Sequence, residues 1–192
     1  MEIRELIEKT RSYRRFDNTA PLSRETLLEL LDTARLTPSG ANLQSIRFLP
    51  VTERAEVDFL TEHARWAAYL TDWQGPSKDE APTAWVLLLS PSEAPCPEID
   101  LGITAQTILI SASALGYGGC MFLSIDRSAI AERFGIDGSM RIDLAVALGV
   151  PSETVLVKEI AQGDDLRYYR DGLDRHIVPK LSLADRLYER KQ

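Results

Sequence analysis

Three arginines crowd into one short stretch near the N-terminus. Residues 9–17 read KTRSYRRFD, and Arg11, Arg14 and Arg15 would repel one another on a bare surface. A guanidinium group presents a planar fork of N–H donors that matches the oxygens of a phosphate, and the hydroxyl of Ser12 adds another polar group. The stretch therefore fits a site for a phosphate monoester. A solvated, charged loop is the alternative interpretation.

A second stretch that could serve chemistry is GYGGC at residues 116–120. A dinucleotide-binding fingerprint requires a strand, then glycines, then a helix, whereas here a predicted helix precedes the glycines and a predicted strand follows them. That order excludes the fingerprint. Two interpretations stay open: the glycines end the helix in a tight turn, or Gly118 and Gly119 leave bare backbone that can approach a flat ring and offer an N–H donor.

Side chains that could perform catalysis by themselves are scarce. The sequence contains no H-E-x-x-H, G-x-S-x-G or P-loop motif, and it has only two histidines, His63 and His176. Its two cysteines, Cys96 and Cys120, form no C-x-x-C pair, so we expect neither a disulfide framework nor a zinc site. The acidic stretch at 163–176 lacks the spacing of a calcium loop, so we expect no metal. A cofactor is the natural source of reactivity.

Composition narrows the class of protein further. The formal net charge of -7 argues against a general nucleic-acid binder, because such affinity requires a basic surface that neutralises many phosphates. The apolar runs at residues 84–89 and 101–116 are shorter than the roughly 20 residues that a membrane-spanning helix requires. The N-terminus shows no secretory signal. We therefore expect a cytoplasmic protein that is not embedded in a membrane and folds as a single domain over residues 1–192.

Hydrophobic periodicity predicts alternating helices and strands. The predicted helices cover residues 24–36, capped by Ser23, and residues 53–64, 99–115 and 127–134, the last capped by Asp126. The predicted strands cover residues 47–52, 84–90, 120–125 and 141–151. This pattern favours an α/β or α+β sandwich around one sheet. The helix at 99–115 is apolar nearly all round, so we expect it to be buried in the domain centre or at a subunit interface.

The order of these motifs resembles the nitroreductase family of FMN-dependent enzymes. Residues 11–16 are similar to the R-S-x-R-x-F opening of that family, and residues 38–44 are similar to its P-S-x-x-N-x-Q turn. The resemblance continues through the apolar helix and GYGGC to HIVPKLSL at 176–183, and so covers essentially the whole chain. It implies an α+β fold with a central, mostly antiparallel sheet flanked by helices. It also implies a homodimer with FMN at the subunit interface.

The resemblance assigns site residues as well. The phosphate and pyrimidine edge of FMN would be held by the first motif, here Arg11, Ser12, Tyr13 and Arg14. A basic residue near the C-terminus usually assists with the phosphate, and Lys180 matches it better than His176. The proline-serine turn would reach the flavin from the other subunit, with Gln44 nearby; its residues are Pro38, Ser39, Gly40 and Asn42. The backbone at Gly118, Gly119 and Cys120 would face the redox edge of the flavin.

Three departures from the family pattern bear on the pocket. Thr10 stands where many members have a second basic residue, and Ser45 and Ile46 replace a Pro-Trp pair that often follows the glutamine. These changes affect the phosphate contacts and one wall of the pocket.

Residues 65–76, RWAAYLTDWQGP, carry three aromatic side chains at helical spacing, which favours a core or interface position over a substrate-stacking lid. We expect this segment near the pocket.

The resemblance implies a ping-pong cycle in which NADH or NADPH reduces bound FMN and an electron-poor acceptor, such as a nitroaromatic or a quinone, then takes the electrons. In such a cycle the flavin carries out the chemistry, and the protein positions, tunes and shields it. The chain then needs no nucleophile or general base of its own, which agrees with the scarcity of such side chains. Two further interpretations stay open. The protein could be a flavin-dependent reductive dehalogenase or oxygen-using flavin enzyme, or it could be a non-catalytic flavin-binding protein.

Overall fold

The computed structural model describes residues 2–94 and 98–188, so Cys96 lies outside the described residues. The helices, in chain order, are α1 (Ile3–Lys9), α2 (Arg24–Ala34), α3 (Arg54–Glu62), α4 (Glu98–Ala114) and α5 (Arg127–Phe134). The first five strands are β1 (Phe16–Asp17), β2 (Arg47–Val51), β3 (Ala84–Pro91), β4 (Gly118–Phe122) and β5 (Met140–Pro151). The last three are β6 (Val155–Ile160), β7 (Tyr169–Arg170) and β8 (His176–Leu181).

The larger sheet has five strands and is organised around β5. Strands β2 and β3 extend it on one side in the order β5-β3-β2, and both β1 and β4 pair with the other edge of β5. All of these pairings are antiparallel. The prediction of an α+β fold with a central, mostly antiparallel sheet flanked by helices is therefore confirmed.

Both faces of this sheet are covered, which explains why the apolar run of β3 is continuous. Its side chains alternate between two cores, since successive residues of a strand point to opposite faces. Ala84, Val86 and Leu88 pack beneath α2 and α4. On the other face, Trp85 and Leu87 pack with residues of α3, α5 and the segment that follows α3.

Local sequence signals place the helices as expected. The hydroxyl of Ser23 accepts a hydrogen bond from the backbone N–H of Thr26, and the carboxylate of Asp126 accepts one from Ala129, so both predicted caps are present. Each cap satisfies a backbone donor that the first turn of a helix leaves without a partner. Helix α5 ends at Phe134. The next residue, Gly135, has a left-handed φ of 64°, a conformation that favours glycine.

Helix α4 is buried on one side within the single chain, so the domain centre does not cover all of its apolar surface, and the subunit-interface alternative stays a prediction. One face of it packs into the core against α2 and the sheet. On the opposite face Ile99 is 77% exposed and Ile103 is 36% exposed. An apolar helix face that stays partly exposed is available to pack against another surface.

Two regions differ from the sequence prediction. A second, three-stranded sheet of order β6-β8-β7 follows the larger one, although only one sheet was predicted. Residues 65–76 form turns and not a helix, and their first tryptophan, Trp66, is buried.

In the described ranges, no helix is long and apolar enough to cross a membrane. No group of three or more potential metal-ligating side chains occurs there either.

Candidate functional site

The arginine segment and the glycine stretch, far apart in sequence, lie side by side. Thr10 ends α1, with its hydroxyl donating to the carbonyl of Leu6 at 2.7 Å. The chain then runs parallel to the start of β4, where Ser12 forms a bridge with Gly119. The backbone N–H of Tyr13 donates to the Gly119 carbonyl at 3.0 Å. The first motif is thus tied by its backbone to the rim of the central sheet.

Arg14 carries a buried positive charge beside this strand. The residue is only 9% exposed, and its guanidinium lies 4.8 Å from the centroid of the Tyr168 ring. Its Nη1 contacts the Ser12 carbonyl at 3.3 Å and Nε2 of His176 at 3.4 Å. Among the described residues, no carboxylate forms an ion pair with this guanidinium. A buried cation without a counter-ion favours an anionic ligand.

His176 is arranged to stay neutral. Arginine can only donate hydrogen bonds, so Nε2 of His176 accepts and its proton is on Nδ1. That Nδ1 is buried and has no hydrogen-bond partner within the described residues. Burial, and then the positive charges of Arg14 and Arg170, lower the pKa of His176 to about 4.

Glu153 fixes the backbone of the arginine segment. Its carboxylate accepts hydrogen bonds from the backbone N–H groups of Arg14 and Arg15, the second at 3.2 Å. The same carboxylate forms an ion pair with Arg170 at 2.9 Å, and its side chain is 1% exposed. The backbone N–H of Ser152 donates to the carbonyl of Arg15 at 3.0 Å. The first motif is therefore held from the C-terminal side as well as by β4.

The other two arginines of the cluster have different environments. Arg15 forms ion pairs with Asp174 and Glu80 and lies 5.7 Å from the ring centroid of Trp73, so its role is structural. Arg11 donates from Nη2 to the carbonyl of Ile7 at 2.6 Å, but its Nε is buried without a hydrogen-bond partner in the described part of the chain. Arg11 retains a donor for a ligand, whereas the charge of Arg15 is already compensated.

The glycines beside this segment are explained by packing. A Cβ on Gly118 would lie 2.5 Å from the ring of Tyr13, and one on Gly119 would lie 2.3 Å from the carbonyl oxygen of Ala147. Gly116 has a φ of 85° and follows the end of α4, as the tight-turn interpretation expects. Cys120 is buried, and burial raises the pKa of its thiol. A buried, protonated thiol is a small hydrophobe and not a nucleophile.

The predicted proline-serine turn lies elsewhere, against the first turn of α4. The backbone N–H of Gly40 donates to both carboxylate oxygens of Asp100, at 3.0 and 3.1 Å. Ser39 accepts a hydrogen bond from the N–H of Gln44 at 3.2 Å. The backbone of this turn has left-handed φ angles at Ala41, Asn42 and Gln44. Such strained, exposed backbone is typical of a functional turn.

The predicted site therefore consists of two separate groups within one chain. One group contains the residues at 11–14 and 118–120, and the other contains Pro38, Ser39, Gly40, Asn42 and Gln44. No hydrogen bond joins the two groups among the described residues. Lys180 belongs to neither group, because its side chain is exposed on β8 at the position paired with Glu159. His176, the weaker match in sequence, is the residue that contacts Arg14.

Three residues beside the first group were not singled out from the sequence, although Arg65 begins the segment at 65–76 that we expect near the pocket. Tyr168 and Arg65 line, with Arg14 and Cys120, a small cavity of about 140 Å³. Glu153 is the third. Tyr168 and Glu153 lie in polar stretches and belong to no motif, and Arg65 is the first residue of the aromatic segment. Their positions follow from contacts between distant parts of the chain.

These residues fit the phosphate of a cofactor such as FMN. Within the described residues, Arg11 has a buried Nε without a hydrogen-bond partner and Arg14 has no ion-pair partner; Ser12, an exposed residue, lies between them in sequence. The cavity beside Arg14 is smaller than the roughly 300–1,000 Å³ that small-molecule sites occupy. A cavity of about 680 Å³ adjoins it and shares the residues Arg65, Ala67, Ala68 and Ser124.

Comparisons with known proteins agree with this geometry. The sequence model of the Nitroreductase family matches residues 7–150. A nitroreductase family protein from Clostridium novyi NT superposes with a TM-score of 0.64 at 24% identity, covering 79% of this chain and 87% of that one. A chain from Exiguobacterium sibiricum, solved in complex with FMN, gives 0.66 at 18% identity and covers 80% and 90%.

A third solved structure extends the comparison. An FMN-dependent nitroreductase from Clostridium difficile R20291 gives a TM-score of 0.62 at 20% identity, with 77% of this chain and 87% of that chain covered. No curated protein matches the sequence. The family match ends at the last residues of β5, so β6, β7 and β8 lie beyond it.

Proposed function

Because the chain belongs to the nitroreductase family, whose sequence model matches residues 7–150, we propose that it is an FMN-dependent oxidoreductase. The observation that carries this proposal is the buried guanidinium of Arg14, which has no carboxylate partner among the described residues and lines a cavity together with Cys120 of β4. Charge-assisted hydrogen bonds from arginine to phosphate are among the strongest that proteins make. An FMN phosphate would compensate this charge.

Different residues of the chain would hold different parts of the cofactor. Arg11, Ser12 and Arg14 would bind its anionic and polar groups, while Tyr13 packs on Gly118 and keeps the segment against β4. His176, neutral at physiological pH, would orient the Arg14 guanidinium. Lys180 would reach the cofactor only if its exposed side chain turned toward it. Cys120 would contribute its backbone groups and the volume of its side chain to the site, and it would not act as a thiolate.

When bound, FMN supplies the redox chemistry by taking two electrons from NADH or NADPH and passing them to an acceptor. We propose an electron-poor acceptor, either a nitroaromatic compound or a quinone. A nitro group that gains two electrons and two protons loses water and becomes a nitroso group; the donor supplies a hydride and the solvent supplies the second proton. The chain's residues would position both molecules and exclude water, without a nucleophile of their own.

We also propose that the working protein is a cytoplasmic homodimer in which each chain is a single domain. Two observations support the dimer. The exposed apolar face of α4, which includes Ile99 and Ile103, resembles the core of a subunit interface. The strained turn at 38–44 lies at the start of the same helix, away from Arg14. A symmetric pairing through α4 would bring the turn of one chain to the arginine segment of its partner.

A visible absorption spectrum of the purified protein tests the proposal. We expect a yellow protein, or a colourless one that turns yellow on addition of FMN, and bleaching of the colour when NADH or NADPH is added without oxygen. A nitroaromatic or quinone should then restore the colour rapidly. A protein that binds no FMN would contradict the proposal. Stoichiometric FMN that neither donor reduces would instead favour a non-catalytic flavin-binding protein.

A further inference from the structure

Two cavities next to Arg14 meet at a second arginine. The small cavity lined by Arg14, Cys120 and Tyr168 measures about 140 Å³. The larger one measures about 680 Å³ and is lined by residues of the segment after α3, including Trp66, Trp73 and Gln74. Arg65 lines both cavities. Arg65 therefore stands where the larger cavity meets the small cavity beside the candidate flavin site.

The backbone around Arg65 is held firmly. Its N–H donates to the carbonyl of Ser124 at 2.9 Å, and the residue before it, Ala64, forms an antiparallel bridge with Ile125. The N–H of Asp126 donates to the His63 carbonyl at 2.9 Å. These contacts tie Arg65 and the two residues before it to residues 124–126, just after β4. The guanidinium therefore extends from a fixed point and not from a free loop.

The wall of the larger cavity is built around Trp66. This residue is 8% exposed, its ring lies 4.6 Å from that of Phe122, and its Nε1 donates to the Thr61 carbonyl at 3.0 Å. The chain bends sharply after it at Ala67, where φ is 37°. It passes the Trp66 ring again at Gly75, where a Cβ would lie 2.9 Å from the ring. The aromatic wall is thus preformed.

The charge in both cavities is positive. No Asp or Glu lines either one, whereas Arg65 lines both and Arg14 lines the small one. Within the described residues, the Arg65 side chain makes no hydrogen bond and no ion pair. Glu62 and Asp126 line a third cavity that Arg65 also borders. In a chain of net charge -7, the exposed Arg65 and the buried Arg14 line adjoining cavities, and neither forms an ion pair within the described residues. Together they form a local site for an anion.

We infer that the acceptor of the proposed reaction is an aromatic compound that carries a carboxylate, and that Arg65 selects it. The inference rests on the proposed function. The carboxylate would form a paired set of hydrogen bonds with the Arg65 guanidinium, and the apolar ring would lie along the wall formed by Trp66 and Trp73. A neutral analogue would fill the same space but would leave Arg65 without a partner.

The experiment compares para-nitrobenzoate with the uncharged para-nitrobenzamide. The proteins are the wild type, Arg65→Gln, Arg65→Lys and, as a control, Arg24→Gln, which changes an exposed arginine at the start of α2. Loss of one charge-assisted contact should raise the KM for the benzoate about tenfold in Arg65→Gln, and leave the KM for the amide and both kcat values unchanged. Arg65→Lys should recover part of the loss, and the control should match the wild type.

A direct binding measurement accompanies the kinetics. Quenching of tryptophan fluorescence by either compound reports occupancy near Trp66 and Trp73, with or without FMN, so the inference is tested even in a protein that proves redox-inactive. Equal affinity of the wild type for benzoate and amide would overturn the inference, as would an equal loss for both in Arg65→Gln. A raised KM for NADPH with an unchanged KM for the benzoate would overturn it too, because Arg65 would then bind the donor's phosphate.

Discussion

Glu153 holds Arg14 by its backbone and not by its charge. The carboxylate accepts hydrogen bonds from the N–H groups of Arg14 and Arg15, while the Arg14 guanidinium points toward Tyr168 and His176. The ion-pair partner of Glu153 is Arg170. This division leaves the Arg14 charge available to a ligand. It also makes a residue beyond the family match part of the support of the site.

Replacing Glu153 should weaken both the fold and the site. Glu153→Ala leaves two backbone donors without their partner and leaves Arg170 with only its ion pair to the exposed Asp174, which should lower the free energy of unfolding by about 3 kcal/mol. The affinity for FMN should fall with it, because the arginine segment loses its support. Urea unfolding and FMN titration measure the two effects. Glu159→Gln, an exposed change on β6, should alter neither; equal behaviour of the two variants would refute the role of Glu153.

Arg14→Ala should release FMN and leave the proposed dimer folded. The change removes charge-assisted contacts with a phosphate, so the dissociation constant for FMN should rise by a factor of about 10 to 100. Riboflavin, which lacks the phosphate, should lose much less affinity. The comparison of the two ligands by fluorescence titration separates a phosphate contact from general loosening. Unchanged flavin content in this variant would contradict the assignment of the segment.

His176 should make the protein sensitive to acid. Its pKa is lowered from 6.5 to about 4 in the folded chain, chiefly by burial, so the unfolded chain binds more protons between these values. The free energy of unfolding should therefore fall as the pH drops through this window, by about 2 kcal/mol between pH 7 and pH 5 from this group alone. His176→Gln keeps an acceptor for Arg14 and should flatten this part of the profile. Identical pH profiles for the two proteins would exclude His176 as the cause.

Cys120 should be unreactive in the folded protein. Its side chain is buried and its pKa is raised, so little thiolate is present at neutral pH. In a Cys96→Ser background, Ellman's reagent should detect the remaining thiol slowly under native conditions and rapidly in denaturant. Rapid modification of the native protein would indicate that β4 opens or that the thiol takes part in chemistry. The same variant should retain its FMN affinity after exposure to the reagent.

The sequence predicted those parts of the protein that local signals determine. Ser23 and Asp126 cap helices because side-chain oxygens there meet free backbone donors, and the apolar run of β3 is buried on both faces as its composition requires. The two motifs of the family were recognisable for a similar reason, since each is a short run of particular residue types. The arginine segment and the glycines of β4 could be assigned to one site only through the resemblance.

The remaining parts depend on contacts between distant residues. Strand β6 is mostly exposed, so it lacks the alternation that reveals a half-buried strand. Residues 65–76 have aromatic side chains at helical spacing, yet the chain turns at Ala67, where φ is positive. Among the aromatic side chains of this segment, only Trp66 is buried. The partners of Arg14 and Arg15 could not be inferred because an isolated glutamate in a polar stretch carries no local signal. Packing of the whole chain selects it.

The bond between Glu153 and Arg14 joins residues 139 positions apart. Closing so long a loop costs conformational entropy before the contact can stabilise anything. During synthesis the arginine segment emerges from the ribosome early, whereas its glutamate emerges only after nearly the entire central sheet. A nascent chain therefore cannot complete the support of its arginine segment until the residues that follow β5 have been synthesised, however early that segment itself emerges.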